Sequence, residues 1–241
     1  MIIRNLCPNC GGSIHEGRLK RGLPCSNCIP GVYVRETNTR DHLRSTLQAL
    51  NKIKGMLSVF LLEDELSEFE SFFKRVLGKE LWSIQRSWAK RMLSGESFAL
   101  IAPTGVGKTT LLQAYALFRA SRKCKVLYIV PTLELLNQLV TSLNILKKNL
   151  NNVEVMTSHE FKKAIFGNSL KTLDKGLIVV TTHAFIHRNK ELFNNMSFNL
   201  IIVDDFDALM KSSGILNLIL KLLGISDNAI KLALRIINLK Q

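Results

Sequence analysis

Near the middle of the chain, Ala102-Pro103-Thr104-Gly105-Val106-Gly107-Lys108-Thr109-Thr110 has the residue types and spacing of a phosphate cradle. In such a loop, backbone N–H groups at a helix N-terminus face an anion. Lys108 then reaches the β- and γ-phosphates of a nucleoside triphosphate, and the Thr109 hydroxyl ligates Mg²⁺. Ala102 stands where the pattern usually opens with glycine, while the Gly-Lys-Thr core is intact.

A second set of groups fits the same chemistry. Asp204-Asp205 follows the apolar run Phe198-Asn199-Leu200-Ile201-Ile202-Val203, 95 residues beyond Thr109. Carboxylates at the end of a strand beside a phosphate loop manage the metal and the attacking water. Asp204 is assigned to the Mg²⁺ shell and Asp205 to the water. Gln85 lies 17 residues before Ala102, and its amide can donate and accept at once, as reading the N6 and N7 of adenine requires. Phe69, Phe72 or Phe73 is the candidate to stack on the base.

A third set is chemically separate. Cys7-Pro8-Asn9-Cys10 and Cys25-Ser26-Asn27-Cys28 form two CxxC pairs with fourteen residues between them. Four thiolates on two tight turns satisfy a tetrahedral Zn²⁺. So short a stretch, with so few apolar residues, needs the metal for its stability. His15 lies between the pairs and reads as a surface residue, because no fifth ligand is needed. Arg4, Arg18, Lys20, Arg21 and Arg35 surround this ribbon, and residues 1–57 hold nine Lys/Arg against three Asp/Glu. The excess suits contact with a phosphate backbone, while a purely structural ribbon remains the alternative.

The elements that must position these groups follow from periodicity. Residues 37–60 and 61–77 read as two helices, the second acidic in its first half, which suits the helix macrodipole. Residues 78–93 open a further helix. The run Ser97–Ile101 reads as the strand that delivers the phosphate loop, and Leu111 onward as the helix that follows it. Lys125–Val130, Val153–Met156, Gly176–Thr181 and Phe198–Val203 are apolar runs of the kind buried parallel strands show. Thr132 and the pair Thr181-Thr182 sit where strands give way to helices, either as N-caps or as phosphate contacts. Two amphipathic helices, broken at Gly224-Ile225-Ser226-Asp227, close the chain. The expected fold class is therefore α/β, a P-loop parallel sheet flanked by helices. The expected divisions are a zinc ribbon over 1–35, a helical connector over 36–77 and a nucleotide-binding lobe over 78–241.

Composition agrees. The chain has 241 residues, 46% of them hydrophobic and 22% charged, with 33 Lys/Arg against 19 Asp/Glu for a net charge of +14. That excess points to a polyanionic partner, nucleic acid before acidic lipid. There is no run of about 20 apolar residues to span a membrane, and no apolar signal segment at the N-terminus. Paired cysteines beside a P-loop indicate a cytoplasmic protein that binds metal rather than forming disulfides.

Together these motifs resemble the N-terminal part of reverse gyrase, in which a superfamily-two helicase-like module is joined to a type IA topoisomerase. The resemblance is carried by the four cysteines, Gln85, the loop from Ala102 to Thr110, and Asp204-Asp205-Phe206-Asp207-Ala208-Leu209. Helicases of the superfamily usually show Asp-Glu at the second motif, whereas reverse gyrases are similar to this chain in showing Asp-Asp-x-Asp-Ala-Leu. Lys221-Leu222-Leu223-Gly224 also looks like that family. The resemblance implies a RecA-like first helicase lobe that binds ATP, Mg²⁺ and DNA, a Zn²⁺-bound ribbon, and partnership with a remaining polypeptide carrying the second lobe and topoisomerase. Those parts are missing here, so the chain reads as a fragment or a separately encoded piece, weakly active alone. An autonomous DNA or RNA helicase lobe and a non-hydrolysing DNA clamp stay open as alternatives.

Overall fold

The structure is a computed structural model that describes residues 1–35, 37, 39–167, 175–194, 196–205 and 215–238. Two compact units divide it, one of residues 1–71 and 82–99, the other of 72–81 and 100–241.

In the first unit, strands β1 (Ile2–Ile3) and β2 (Ile14–His15) pair antiparallel, and a four-residue turn of helix, α1 (Glu16–Leu19), follows. His15 is exposed, and its Nδ1 accepts from the Gly17 amide to cap that turn. The helices are α2 (Arg40–Ala49), α3 (Met56–Leu77) and α4 (Ser83–Leu93). The break between α2 and α3 falls at residues 50–55, earlier than periodicity suggested. Asn51 takes a left-handed φ of 51°, and the loop after it is held to the ribbon.

The acids of α3 consequently lie in mid-helix, where pairing decides their role. Glu63 takes Lys90 directly, with Arg86 and Arg40 nearby, while Asp64 takes Arg44 and Arg40, and Glu70 takes Arg86 at 2.6 Å. This network ties α2, α3 and α4 together.

The ribbon also shares its core with these helices. Cys7, Ile14, Leu23, Cys25, Cys28 and Ile29 are buried with Leu43, Leu47, Met56 and Phe60 in one cluster. The few apolar residues of the ribbon are thus pooled with those of two helices.

The second unit is built on a four-stranded, fully parallel sheet of order β4-β5-β3-β6, with β3 (Lys125–Val130), β4 (Val153–Thr157), β5 (Gly176–Thr182) and β6 (Leu200–Val203). The α/β fold class expected from the apolar runs is therefore present. Residues 96–103 form no strand, and Ile101 is 90% exposed, so the expected strand ahead of the phosphate loop is absent there. The run takes no place in the sheet; Phe98 is instead half-buried with the Arg91 guanidinium over its ring at 4.0 Å.

Helices cover both faces. Leu127, Ile129, Leu177 and Val179 point into a core with Phe161 of α7 (Ser158–Phe166), Ile186 of α8 (His183–Arg188), Phe193 of α9 (Lys190–Asn194) and Leu218, Ile219 and Leu222 of α10 (Ile215–Leu222). Strand alternation puts Val126, Tyr128, Ile178, Val180 and Ile202 on the opposite face. There α5 (Lys108–Ser121) and α6 (Leu133–Leu146) lie, joined by Ser142 donating to Gln113 at 2.9 Å. A last helix, α11 (Asp227–Asn238), follows the break at Gly224, as periodicity indicated. No helix among the described residues is long and apolar enough to cross a membrane.

Candidate nucleotide site and metal centre

The phosphate loop is positioned by α5. Its N-cap, Gly107, has φ 75° and supplies no side-chain cap, while Gly105 has φ 86°. Both backbones occupy the left-handed region that glycine enters without a Cβ clash. Residues 102–110 are exposed or half-buried, with Thr109 and Thr110 exposed in the first turn of α5. Lys108 curls its ammonium onto the loop's own carbonyls, bonding the Ala102 oxygen and the Pro103 oxygen, the latter at 3.2 Å.

The direction of α5 is fixed at its other end. A Cβ on Gly176, the first residue of β5, would lie 1.7 Å from the Ala120 carbonyl oxygen. The C-terminus of α5 thus presses on the start of the strands, and α5 runs antiparallel to them. Fourteen residues rise about 21 Å, which returns the loop to the carboxyl edge of the sheet. Leu111, Ala114, Tyr115, Leu117 and Phe118 are buried beneath it.

Asp204 and Asp205 occupy that same edge. The Asp204 amide donates to the Ile129 carbonyl at 2.8 Å, extending the β3–β6 ladder by one step. Asp204 is half-buried, whereas Asp205 is exposed and has φ 57°. Phe206, Asp207, Ala208 and Leu209 lie outside the described residues.

Two further polar groups, which no motif singles out as a pair, sit beside these acids. The Tyr128 hydroxyl and His183 Nε2 are the buried side-chain polar atoms without a hydrogen-bond partner among the described residues. Burial raises the Tyr128 pKa, and the charge of Asp204 raises it further. Burial lowers that of His183, against the opposing pull of Asp205. Alternation within an apolar strand hides such a tyrosine as one more core residue.

The remaining nucleotide candidates are placed otherwise. Gln85 belongs to the first unit, is 6% exposed, and its Oε1 accepts from the Trp82 amide at 3.1 Å at the start of α4. Phe69, Phe72 and Phe73 are all buried, Phe72 edge-on to Phe118 at 5.3 Å, so they are core side chains rather than open stacking faces. The hydroxyls of Thr132 and Thr182 accept from Leu135 and Phe185 as helix N-caps, and Thr181 is fully buried.

The metal centre is closed and compact. The sulfurs of Cys7, Cys10, Cys25 and Cys28 all lie within 4.8 Å of one another. Cys7–Cys28 is 3.9 Å, and Cys10–Cys25 and Cys25–Cys28 are each 3.7 Å. Zn–S bonds of about 2.3 Å in a tetrahedron put sulfurs about 3.8 Å apart, so the cage fits zinc and is far too wide for disulfides.

Amides support the sulfurs, Cys25 N–H to Cys7 Sγ at 3.2 Å and Gly12 N–H to Cys10 Sγ at 3.4 Å. Burial opposes ionisation of Cys7, Cys25 and Cys28. At Cys7, backbone N–H groups of Cys25, Cys10 and Asn9 overcome it and lower the pKa to about 6, while burial carries Cys28 up to about 12. Four such sulfurs cannot all ionise side by side unless a cation joins them.

Asn9 has a role the motif did not disclose. It is 3% exposed; its Nδ2 donates to the Lys52 carbonyl at 2.7 Å and its Oδ1 accepts from the Lys54 amide at 2.8 Å. Its own carbonyl accepts from Gly55 N–H at 2.8 Å, at a spot where a Cβ on Gly55 would meet that oxygen at 3.1 Å. Arg18, expected to contact phosphate, clamps the ribbon from within by donating to the carbonyls of Pro24 at 2.7 Å and Ile29 at 2.6 Å. Lys20 pairs with Glu16 at 2.7 Å. Arg4 and Arg21 are exposed.

Two family models match the chain. The DEAD/DEAH box helicase family model matches residues 82–233, and the reverse gyrase zinc finger model matches residues 1–43. Among similar proteins, a reverse gyrase of Pyrobaculum aerophilum is 36% identical over 97% of this chain and 19% of its own length. A reverse gyrase 2 of Aeropyrum pernix is 38% identical over 96% of the chain and 19% of its own length. A reverse gyrase of Thermococcus kodakarensis is 32% identical over the whole chain and 14% of its own length. The chain thus spans less than a fifth of these relatives.

Proposed function

Because the chain belongs to the DEAD/DEAH box helicase family, as the zinc-finger-bearing helicase-like part of a reverse gyrase, we propose that it binds ATP and DNA within an enzyme that introduces positive supercoils. The observation that carries this reading is the shared edge: the direction of α5 returns Lys108 to the side of the sheet where Asp204 and Asp205 emerge.

The donor set suits the nucleotide and its metal. Lys108 would leave the Ala102 and Pro103 carbonyls for the phosphates, exchanging neutral acceptors for charged ones. Thr109 and Asp204 offer hard oxygen ligands of the kind Mg²⁺ prefers; when bound, the metal neutralises charge on the phosphates. Asp205, exposed beside Asp204, would orient the attacking water. Gln85 stays the proposed adenine contact, through an amide that can both donate and accept. The lobe would provide one side of a cleft whose other side, with the cationic groups that complete hydrolysis, belongs to a remaining polypeptide also carrying the topoisomerase.

ADP and ATP titrations of the 241-residue chain test the first step, and supercoiling of relaxed plasmid with the remaining polypeptide added tests the whole. Binding without appreciable DNA-stimulated hydrolysis by the chain alone is expected, with positive supercoils on reconstitution. Vigorous hydrolysis by the chain alone would mean a self-sufficient motor.

A further inference from the structure

A buried hydroxyl without a hydrogen-bond partner is costly, so its place in the molecule calls for a physical reason. Tyr128 is 0% exposed and its hydroxyl has no partner among the described residues. It lies in the middle of the sheet with Val180 on one side and Ile202 on the other as register partners. Two residues on from Ile202, Asp204 falls on the same face of β6, the face α5 covers. A strand spacing of about 4.8 Å and a rise of about 6.6 Å over two residues put the two Cα atoms about 8 Å apart. Asp204 is also the charge that acts on the phenol.

The backbone of Asp204 is fixed by its bond to Ile129, so only the carboxylate can turn. A carboxylate that gives one oxygen to a metal ion or its water leaves the other oxygen needing a donor. The Tyr128 hydroxyl, kept neutral by its surroundings, is a donor with no acceptor engaged among the described residues. We infer that Tyr128 is a positioning residue, whose hydroxyl donates to the Asp204 carboxylate when the Mg²⁺–nucleotide is bound and sets the plane of that carboxylate. In the free chain the hydroxyl is held in reserve; the metal-bound state satisfies it. The inference rests on the reading of Asp204 as the carboxylate of the Mg²⁺ shell.

Tyr128→Phe, Asp204→Asn and the double variant, titrated with ADP in MgCl₂ and again in EDTA, provide the test. Tyr128→Phe should weaken ADP binding about tenfold in Mg²⁺, the order of one hydrogen bond to a charged acceptor, and leave it unchanged in EDTA. Its nucleotide-free unfolding midpoint should stay level or rise, because the hydroxyl removed had no bond to lose. In the Asp204→Asn background it should add nothing. Equal weakening with and without metal, or a lowered midpoint with Mg²⁺ dependence intact, would overturn the inference and leave Tyr128 a packing residue. If Asp204→Asn weakens Mg²⁺-dependent binding while Tyr128→Phe does not, only this inference fails. If Asp204→Asn also has no effect, the metal-site reading itself is wrong.

Discussion

Gly176 and Ala120 meet so closely that a β-carbon on the first would sit 1.7 Å from the carbonyl oxygen of the second. That contact seats the C-terminus of the P-loop helix on the start of β5, and so sets where its N-terminus arrives. Gly176→Ala must move backbone rather than a side chain. We expect a loss of about 1–3 kcal/mol, the range for overpacking, read as a lower denaturant midpoint. Weaker ADP binding should accompany it, although the residue is at the far end of the helix from the phosphates.

Removing zinc should do more than loosen a surface knob. The cysteines share a core with Leu43, Leu47, Met56 and Phe60, so chelation or Cys25→Ser should abolish one equivalent of bound zinc and expose part of that core. Dye binding and loss of helical circular dichroism would register it. Asn9→Ala leaves every sulfur in place and should lower the midpoint by about 1–3 kcal/mol through unpaired backbone groups at 52–54 without changing zinc stoichiometry.

Acid should destabilise the first unit through Glu63. The hydrogen bond from Lys90 holds its pKa below the ordinary value of 4.5, with Arg86 and Arg40 adding to the effect. A depressed carboxyl contributes stability that is present above its unfolded pKa and is lost as pH falls through the folded one. Unfolding midpoints between neutral pH and pH 3 should therefore fall less steeply in Glu63→Gln, whose neutral midpoint starts lower.

Lys108→Ala should reduce ATP affinity by roughly 10- to 150-fold, corresponding to about 1.5–3 kcal/mol for bonds to charged acceptors. Because the bonds of Lys108 among the described residues are to loop carbonyls, the unfolding midpoint should change little. Reconstituted supercoiling should be lost; its survival would favour a clamp that holds DNA without hydrolysis.

If the ribbon touches DNA, Arg4 and Arg21 are the side chains placed to do so. Arg4→Ala with Arg21→Ala should weaken duplex binding and flatten the log–log salt dependence by about two. An unchanged slope would confine the ribbon to a structural role.

Much of this was legible in the chain before its fold was known. Apolar runs located the four parallel strands because strands buried on both faces read as continuous hydrophobic segments. The cysteine spacing located the cage because four soft ligands at two turns have little else to do. What escaped was tertiary. The acids of α3 looked like a solvated helix start until Arg40, Arg44, Arg86 and Lys90 came round from other helices to meet them. Arg18 read as a phosphate contact because charge is visible in sequence, whereas the carbonyls of Pro24 and Ile29 that claim it are not. The run 97–101 has a strand's composition but takes no place in the sheet.

Asp205 turns its backbone to φ 57°, a conformation that short polar side chains such as Asp and Asn enter more readily than longer ones. Glutamate, which most helicases resemble one another in using at this point, would reach one methylene further toward a water but would have to adopt the same turn. The length of the acid at this position and the curvature of the chain are thus coupled. Placing a longer acid here would require reshaping the bend as well as lengthening the side chain.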